Sequence, residues 1–231
     1  MSTGIGGELL WLCPTLGSDT TDHTGLNTVS VDGGLSSIAH TDHGGTRAYS
    51  FDGSNDCITI PHHSRFNFGT GDFTVSLHVK PTTSGDADLV HKIMSTGTYA
   101  GFTLQRVSGL ARFWIYNVST SQHISRPISI DVWSHILAER RSNQMSLFVN
   151  GFCVLSQTAN QDVSNSVDMK IGSLAAGGWG GGWFTGLADD IRVFGKVLTA
   201  QERGQLATPA FQPSASGTAR PSHPMKSQVI G

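Results

Sequence analysis

The sequence predicts an all-β protein folded as one antiparallel β-sandwich, and three observations carry that prediction. Charged residues are scarce, at 14% of 231, where an average soluble domain has roughly 25%. Glycine is abundant, at 28 residues, and hydrophobic residues reach 38%, enough for a continuous core and too many for a disordered chain. Short β-rich runs closed by turn residues follow one another, with no helical pattern alternating between them. The length suits one large domain.

The clearest run is FTVSLHVK, residues 73–80. Phe73, Val75, Leu77 and Val79 alternate with Thr74, Ser76, His78 and Lys80, the period of a strand with one buried and one wet face. Pro81 closes it. In MSLFVNGFCVLS, residues 145–156, two β-rich runs flank Asn150-Gly151, a pair suited to a type I′ hairpin turn. Leu147 and Val149 should share a face, with Phe152 and Val154 on the returning strand. Further strands are expected at Leu9–Leu12, Cys57–Ile60, Gly101–Gln105, Arg112–Tyr116, Trp133–Glu139, Met169–Ile171 and Asp190–Phe194. One short helix is expected after Thr199, whose hydroxyl can form a capping box with Glu202, ending by about Leu206. No internal repeat is present.

From Ala207 the character changes. Residues 207–231 hold four prolines and no hydrophobic periodicity, so they form no core of their own. A disordered linker and an extended arm that orders against a partner are the two readings. The arm is the expectation, with Phe211, Arg220, Met225 and Lys226 as its partner contacts. Residues 1–7 form a short N-terminal arm, and residues 8–206 the domain.

The formal net charge of −2 and the absence of any Lys/Arg run argue against a nucleic-acid binder. No apolar stretch of about 18 residues offers a membrane span. MSTGIGGELLWLCP lacks a basic segment followed by a long apolar run, so no secretory signal is expected there. Cys13, Cys57 and Cys153 cannot all pair and form no Cys-x-x-Cys motif; buried free thiols are expected.

Six stretches then occur in a telling order: YSFDGSNDCITIP (49–61), FTVSLHVKP (73–81), LVHKIM (89–94), VWSHILAERRSNQMSLFVNGFCV (132–154), MKIGSL (169–174) and WFTGLADDIRVFGKVLTAQERGQL (183–206). Together they resemble the laminin-G-like, concanavalin-A-like jelly-roll family. The motifs are an aromatic-Asp-Gly before an Asp, a tryptophan-led strand into an Asn-Gly hairpin, and a Gly-x-x-Asp-acid strand carrying an Arg before a short helix. The resemblance covers about residues 8–206, and GELLWLCPTLGSDTTDHTG looks like the family's first strand and Asp-rich loop. It implies a jelly-roll sandwich with one short C-terminal helix and an extended tail. Cys57 and Ala188 depart from the usual residues and are expected to be core adjustments.

Asp52, Asp56, Asp189 and Asp190 are the metal candidates, since carboxylates with backbone carbonyls suit a hard cation, Ca²⁺ first. The resemblance implies a structural calcium near these segments. The alternative is that Asp52 and Asp56 cap their own turn while Asp190 pairs with Arg192. In the glycine-rich run 175–184, Trp179 and Trp183 are ligand-binding candidates, because indole faces stack on sugar rings or protein partners. Trp183 and Phe184 also fall where the resemblance implies a core aromatic. No Gly-Lys-Ser/Thr follows, so this is no phosphate loop.

The ten histidines read as scattered and solvated, with His40 and His43 flanking Asp42 but lacking a third partner. Arg140 and Arg141 read as surface charge. Neither the Glu-x-Asp-x-x-Glu pattern of jelly-roll glucanases nor a Gly-x-Ser-x-Gly elbow is present, so catalysis is not expected. The expected function is therefore a non-enzymatic virion structural protein, a phage head decoration or fibre, displaying a lectin-like domain to surface glycans. Capsid proteins and further copies of the chain would be its partners, in a homo-oligomer. The alternative is a carbohydrate-binding or adhesion module of a bacterial surface or secreted system.

Overall fold

The computed structural model describes residues 4–14, 21–40, 47–94, 99–117, 120–173 and 182–208. In chain order the strands are β1 (Glu8–Leu12), β2 (Ser30–Asp32), β3 (Ser36–Ala39), β4 (Arg47–Asp52), β5 (Cys57–Ile60), β6 (Phe73–Pro81), β7 (Ala87–Ile93) and β8 (Gly101–Val107). They continue as β9 (Leu110–Asn117), β10 (Thr120–Pro127), β11 (Ser134–Arg141), β12 (Gln144–Val149), β13 (Phe152–Thr158), β14 (Met169–Ile171) and β15 (Thr185–Phe194), before helix α1 (Ala200–Ala207). Two antiparallel sheets result. The eight-stranded sheet runs β13-β12-β11-β6-β15-β4-β3, with β1 also on β15; the seven-stranded sheet runs β10-β9-β8-β7-β14-β5-β2.

The facing sides of the sheets make one core. Phe73, Val75, Leu77 and Val79 of β6 join Phe102 and Leu104 of β8 and Phe113 and Ile115 of β9, all fully buried. At one end Phe73 stacks on Phe68 with ring centroids 4.7 Å apart and meets Phe102 at 5.0 Å. Such aromatic pairs add specific geometry to the area they bury. Ala188 sits in this interior at 2% exposure, as a core adjustment should, whereas Cys57, equally buried, faces the other side of β5 with its Sγ 3.6 Å from Thr59 Oγ1.

Strand β15 organises the larger sheet. Its first half, Thr185–Ala188, pairs with β4, and its second half, Ile191–Phe194, pairs with β1 on the same side. β6 runs along its other side. A bulge between Asp189 and Arg192 marks the change of partner, with Asp190 at φ 47.

The helix begins as the capping box predicts. Glu202 N donates to Thr199 Oγ1 (3.2 Å) and Thr199 N donates to Glu202 Oε2 (2.7 Å). Leu198 and Leu206 then pack on Leu137 and Phe194, and Arg203 reaches Glu139 at 3.3 Å. The face of β6 that the sequence predicts to be wet is buried as well: Thr74, Ser76 and His78 are at most 4% exposed, and Thr74 donates its hydroxyl to Lys196 O. A period of two reports polarity contrast between faces, and does not reveal that a later element returns over the polar one.

Other expectations change for the same reason. Arg140 is fully buried, donating to the carbonyls of Gly71 (2.8 Å), Gln161 (2.7 Å) and Gly69 (2.6 Å), while Arg141 stays outside. His40, His78, His91 and His135 are buried, so the histidines are not uniformly solvated. Of the free cysteines Cys57 is buried, Cys13 half-buried and Cys153 exposed. Asn150 and Gly151 take the positive φ values, 51° and 80°, of the predicted hairpin turn. Leu147 and Val149 are buried, but Phe152 is 70% exposed, because it opens the outermost strand of its sheet.

Candidate functional site

The outer face of the seven-stranded sheet carries the most distinctive open surface. Strand β9, LARFWIYN, alternates cleanly: Ala111, Phe113 and Ile115 enter the core, so Arg112, Trp114 and Tyr116 project from the other face, each half-buried. The register extends this face over neighbouring strands. Trp114 lies between Thr103 of β8 and His123 of β10, Arg112 between Gln105 and Ser125, and Tyr116 between Gly101 and Ser121.

The aromatic groups form a platform. Trp114 and Tyr116 stack, with centroids 5.2 Å apart and planes 18° apart. His123, exposed, lies 4.0 Å from Trp114, and the Arg112 guanidinium sits 5.6 Å from the indole centroid. Such rows offer flat apolar faces rimmed by donors.

Beneath and beside it lies a buried polar floor. Gln105 Nε2 donates to Asp88 Oδ1 at 2.6 Å, and the Thr103 hydroxyl does so at 3.4 Å. Burial, with the Asp88 charge second, pushes the Tyr116 phenol up to about 12, so it remains a hydroxyl donor. Burial and then the Lys170 charge hold His91 down at about 4, so it is neutral at pH 7. Burial, then Arg112, also lowers His123. Across β7 to β10 Asp88 is the one carboxylate. Glycoside hydrolysis uses two carboxylates at about 5–9.5 Å, and these four strands supply one.

The residues singled out from the sequence fall elsewhere. Trp179 lies outside the described residues, as do Phe211, Arg220, Met225 and Lys226. Trp183 is half-buried, and Phe184 is the core aromatic, 5.5 Å from Phe51. The two ends of the glycine-tryptophan segment border the platform's floor: Ser173 Oγ lies 3.4 Å from His91 Nε2, and Gly182 O accepts from Asp88 N at 3.0 Å. The sequence did hold the signal for Arg112, Trp114 and Tyr116, in the alternation of a predicted strand. It concealed which strands would stand beside them.

The four aspartates do not converge. Thr185 pairs with Asp52, which puts Asp189 four residues further along β15, about 13 Å away at ~3.3 Å per residue. Asp52 Oδ1 accepts from Ser54 N (2.7 Å) and Asp56 Oδ2 accepts from Asp52 N (2.8 Å), so both cap their own turn. Asp190 accepts from Trp11 Nε1 (2.9 Å) and Arg192 Nε (2.8 Å). Arg192 also reaches Glu8 at 3.2 Å and stacks 4.3 Å from the Trp11 centroid, but it is buried there, not on a wet face. Calcium needs six to eight oxygens, and among the described residues no group of three His, Cys, Asp or Glu side chains is placed to hold a metal. The aspartates do not fit one shared ion.

One arrangement has the form of a catalytic pair. Ser76 Oγ and His135 Nε2 are 2.8 Å apart, with the His78 ring 4.7 Å from that of His135. Ser76 is 1% and His135 3% exposed, so no substrate reaches them, and they tie β6 to β11.

Comparison with known proteins agrees with this architecture. A family model described as the concanavalin A-like lectin/glucanases superfamily matches residues 52–202. The chain belongs to that superfamily. No curated protein sequence matches this lectin-like chain significantly. Among solved structures, it is similar to the binding domain of Paraclostridial mosquitocidal protein 1, with a TM-score of 0.71 and 15% identity over 87% of this chain and 52% of that one. The botulinum neurotoxin serotype G binding domain gives 0.67 and 18%, over 87% and 50%. The botulinum neurotoxin DC binding domain in complex with SialylT gives 0.66 and 13%, over 87% and 51%. The lectin-like chain thus spans about half the length of these structures, and the likeness is one of fold.

Proposed function

We propose that this chain is a non-enzymatic, lectin-like adhesion module that binds glycans on the outer face of its seven-stranded sheet. The observation that carries the reading is the aromatic row on this sheet face, Trp114 stacked on Tyr116 and both half-exposed, with the exposed His123 tilted against Trp114. Its support from relatives is a superfamily named for lectins and glucanases, and a fold shared with toxin binding domains, one of them solved with SialylT. A glycan array tests it: Trp114→Ala should abolish most of the signal while Trp183→Ala leaves it largely intact. Binding that survives Trp114→Ala sinks the proposal.

The setting follows from the same role. An adhesion module works outside the cell, on a cell surface or on a virus particle. We keep the particle-borne homo-oligomer as the finer reading, with residues 207–231 as its anchoring arm. Deleting that segment should release the protein from particles and leave glycan binding unchanged; retained attachment would rule the arm out.

A further inference from the structure

We propose that the ligand of this face is an acidic glycan, a sugar chain bearing carboxylate or sulfate groups, with Arg112 as its anion anchor. The inference rests on the glycan-binding reading and adds the ligand's charge. Most arginines elsewhere in the fold are matched by acceptors: Arg106 by Gly85 O, Arg140 by three carbonyls, Arg192 by Asp190 and Glu8, Arg203 by Glu139; half-buried Arg126 is not, but it lies opposite Ala111 and so on the other face of the sheet. Arg112 is half-buried on the platform and, among the described residues, makes no hydrogen bond or ion pair; its Nε is buried with no acceptor. A half-buried guanidinium left unpaired is poised for an oxyanion, which its planar fork can hold bidentately.

The neighbourhood reinforces this. The cross-strand partners of Arg112, Gln105 and Ser125, are neutral. Trp114 Nε1 also lacks an acceptor, but that atom is buried and adds nothing to the open surface. Lys170 lies in the same row as His91, Thr103 and Trp114, three strands from β9, or about 14 Å at ~4.8 Å per strand. A chain of sugars running across the strands from the platform would therefore meet a second cation. The opposing charge, Asp88, is fully buried, and its Oδ1 is already capped by Gln105. The platform face thus carries positive charge.

Titration calorimetry with the full chain tests the idea, using a galacturonate trimer, a sulfated chondroitin oligosaccharide and a neutral galactose trimer. At least one acidic probe should bind about tenfold or more tightly than the neutral one, with an advantage that shrinks as salt is raised. Which acidic probe wins decides between carboxylate and sulfate. Arg112→Gln should reduce the acidic-to-neutral ratio about tenfold, and Arg112→Lys should keep more of it; circular-dichroism melting of both variants reports folding. Equal binding of all probes, with a ratio unmoved by Arg112→Gln, overturns the acidic preference and leaves the aromatic platform standing. Failure of every probe to bind overturns the preference together with the glycan reading beneath it.

Discussion

Arg192→Met removes the cation that joins β1 to β15, and the structure sets the size of the loss. Arg192 is 1% exposed; its Nε and Nη2 meet Asp190 at 2.8 and 3.1 Å, and its Nη1 meets Glu8 at 3.2 Å. Its stack on Trp11 adds a cation–π contact. Methionine fills much of the volume but leaves two shielded carboxylates without their cation. Breaking a buried ion pair from one side costs about 3–5 kcal/mol. For a chain of 231 residues, at roughly 2–4 °C per kcal/mol, the melting temperature should fall by about 6–20 °C. Differential scanning fluorimetry measures it. Adding Glu8→Gln and Asp190→Asn on the Arg192→Met background should recover part of the loss, because the stranded charges are then gone. A fall below 3 °C, or a triple variant weaker than the single one by the sum of its parts, would refute the reasoning.

Three further outcomes are expected. His91 is held down at about 4 by burial and Lys170, whereas an unfolded histidine titrates near 6.5. Between those values the unfolded chain takes up a proton that the folded chain refuses, so stability falls as pH drops from 6.5 to 4, by about 3 kcal/mol; urea midpoints should show a shallower fall for His91→Gln. Gly172 has φ +78, and a Cβ there would collide with the Phe51 ring, so Gly172→Ala should cost about 3 kcal/mol or more in chemical denaturation. Because Asp52 and Asp56 cap their own turn, EDTA should move the melting temperature by less than about 1 °C; a shift of several degrees would point to calcium at that turn with backbone carbonyls.

Much of the fold was legible because core strands and turns are local statements. Cys57–Ile60 and Met169–Ile171 match their predicted spans, and the Thr199 capping box is where its spacing puts it. The weak spots share a cause. Strands β2 and β3 are short edge strands with mostly exposed side chains, and so leave no hydrophobic pattern. Arg140 looked like surface charge because its three carbonyl partners come from loops about 20 and 70 residues away in sequence, as the bonds to Gln161 and Gly69 show. The platform was readable strand by strand, yet only the register of β8, β9 and β10 shows that Arg112, Trp114, Tyr116 and His123 form one surface.

The dual pairing of β15 also sets when the protein can become itself. β1, near the start of the chain, must wait for Ile191–Phe194 to be synthesised before it has a partner. Until then β4, β6 and β1 lack the strand that joins them, and each offers an open edge to other chains. At about 5–20 residues per second, that exposure lasts many seconds on the ribosome. Slow, long-range closure of this kind makes cooler expression and lower nascent-chain density the conditions in which the fold should be recovered best.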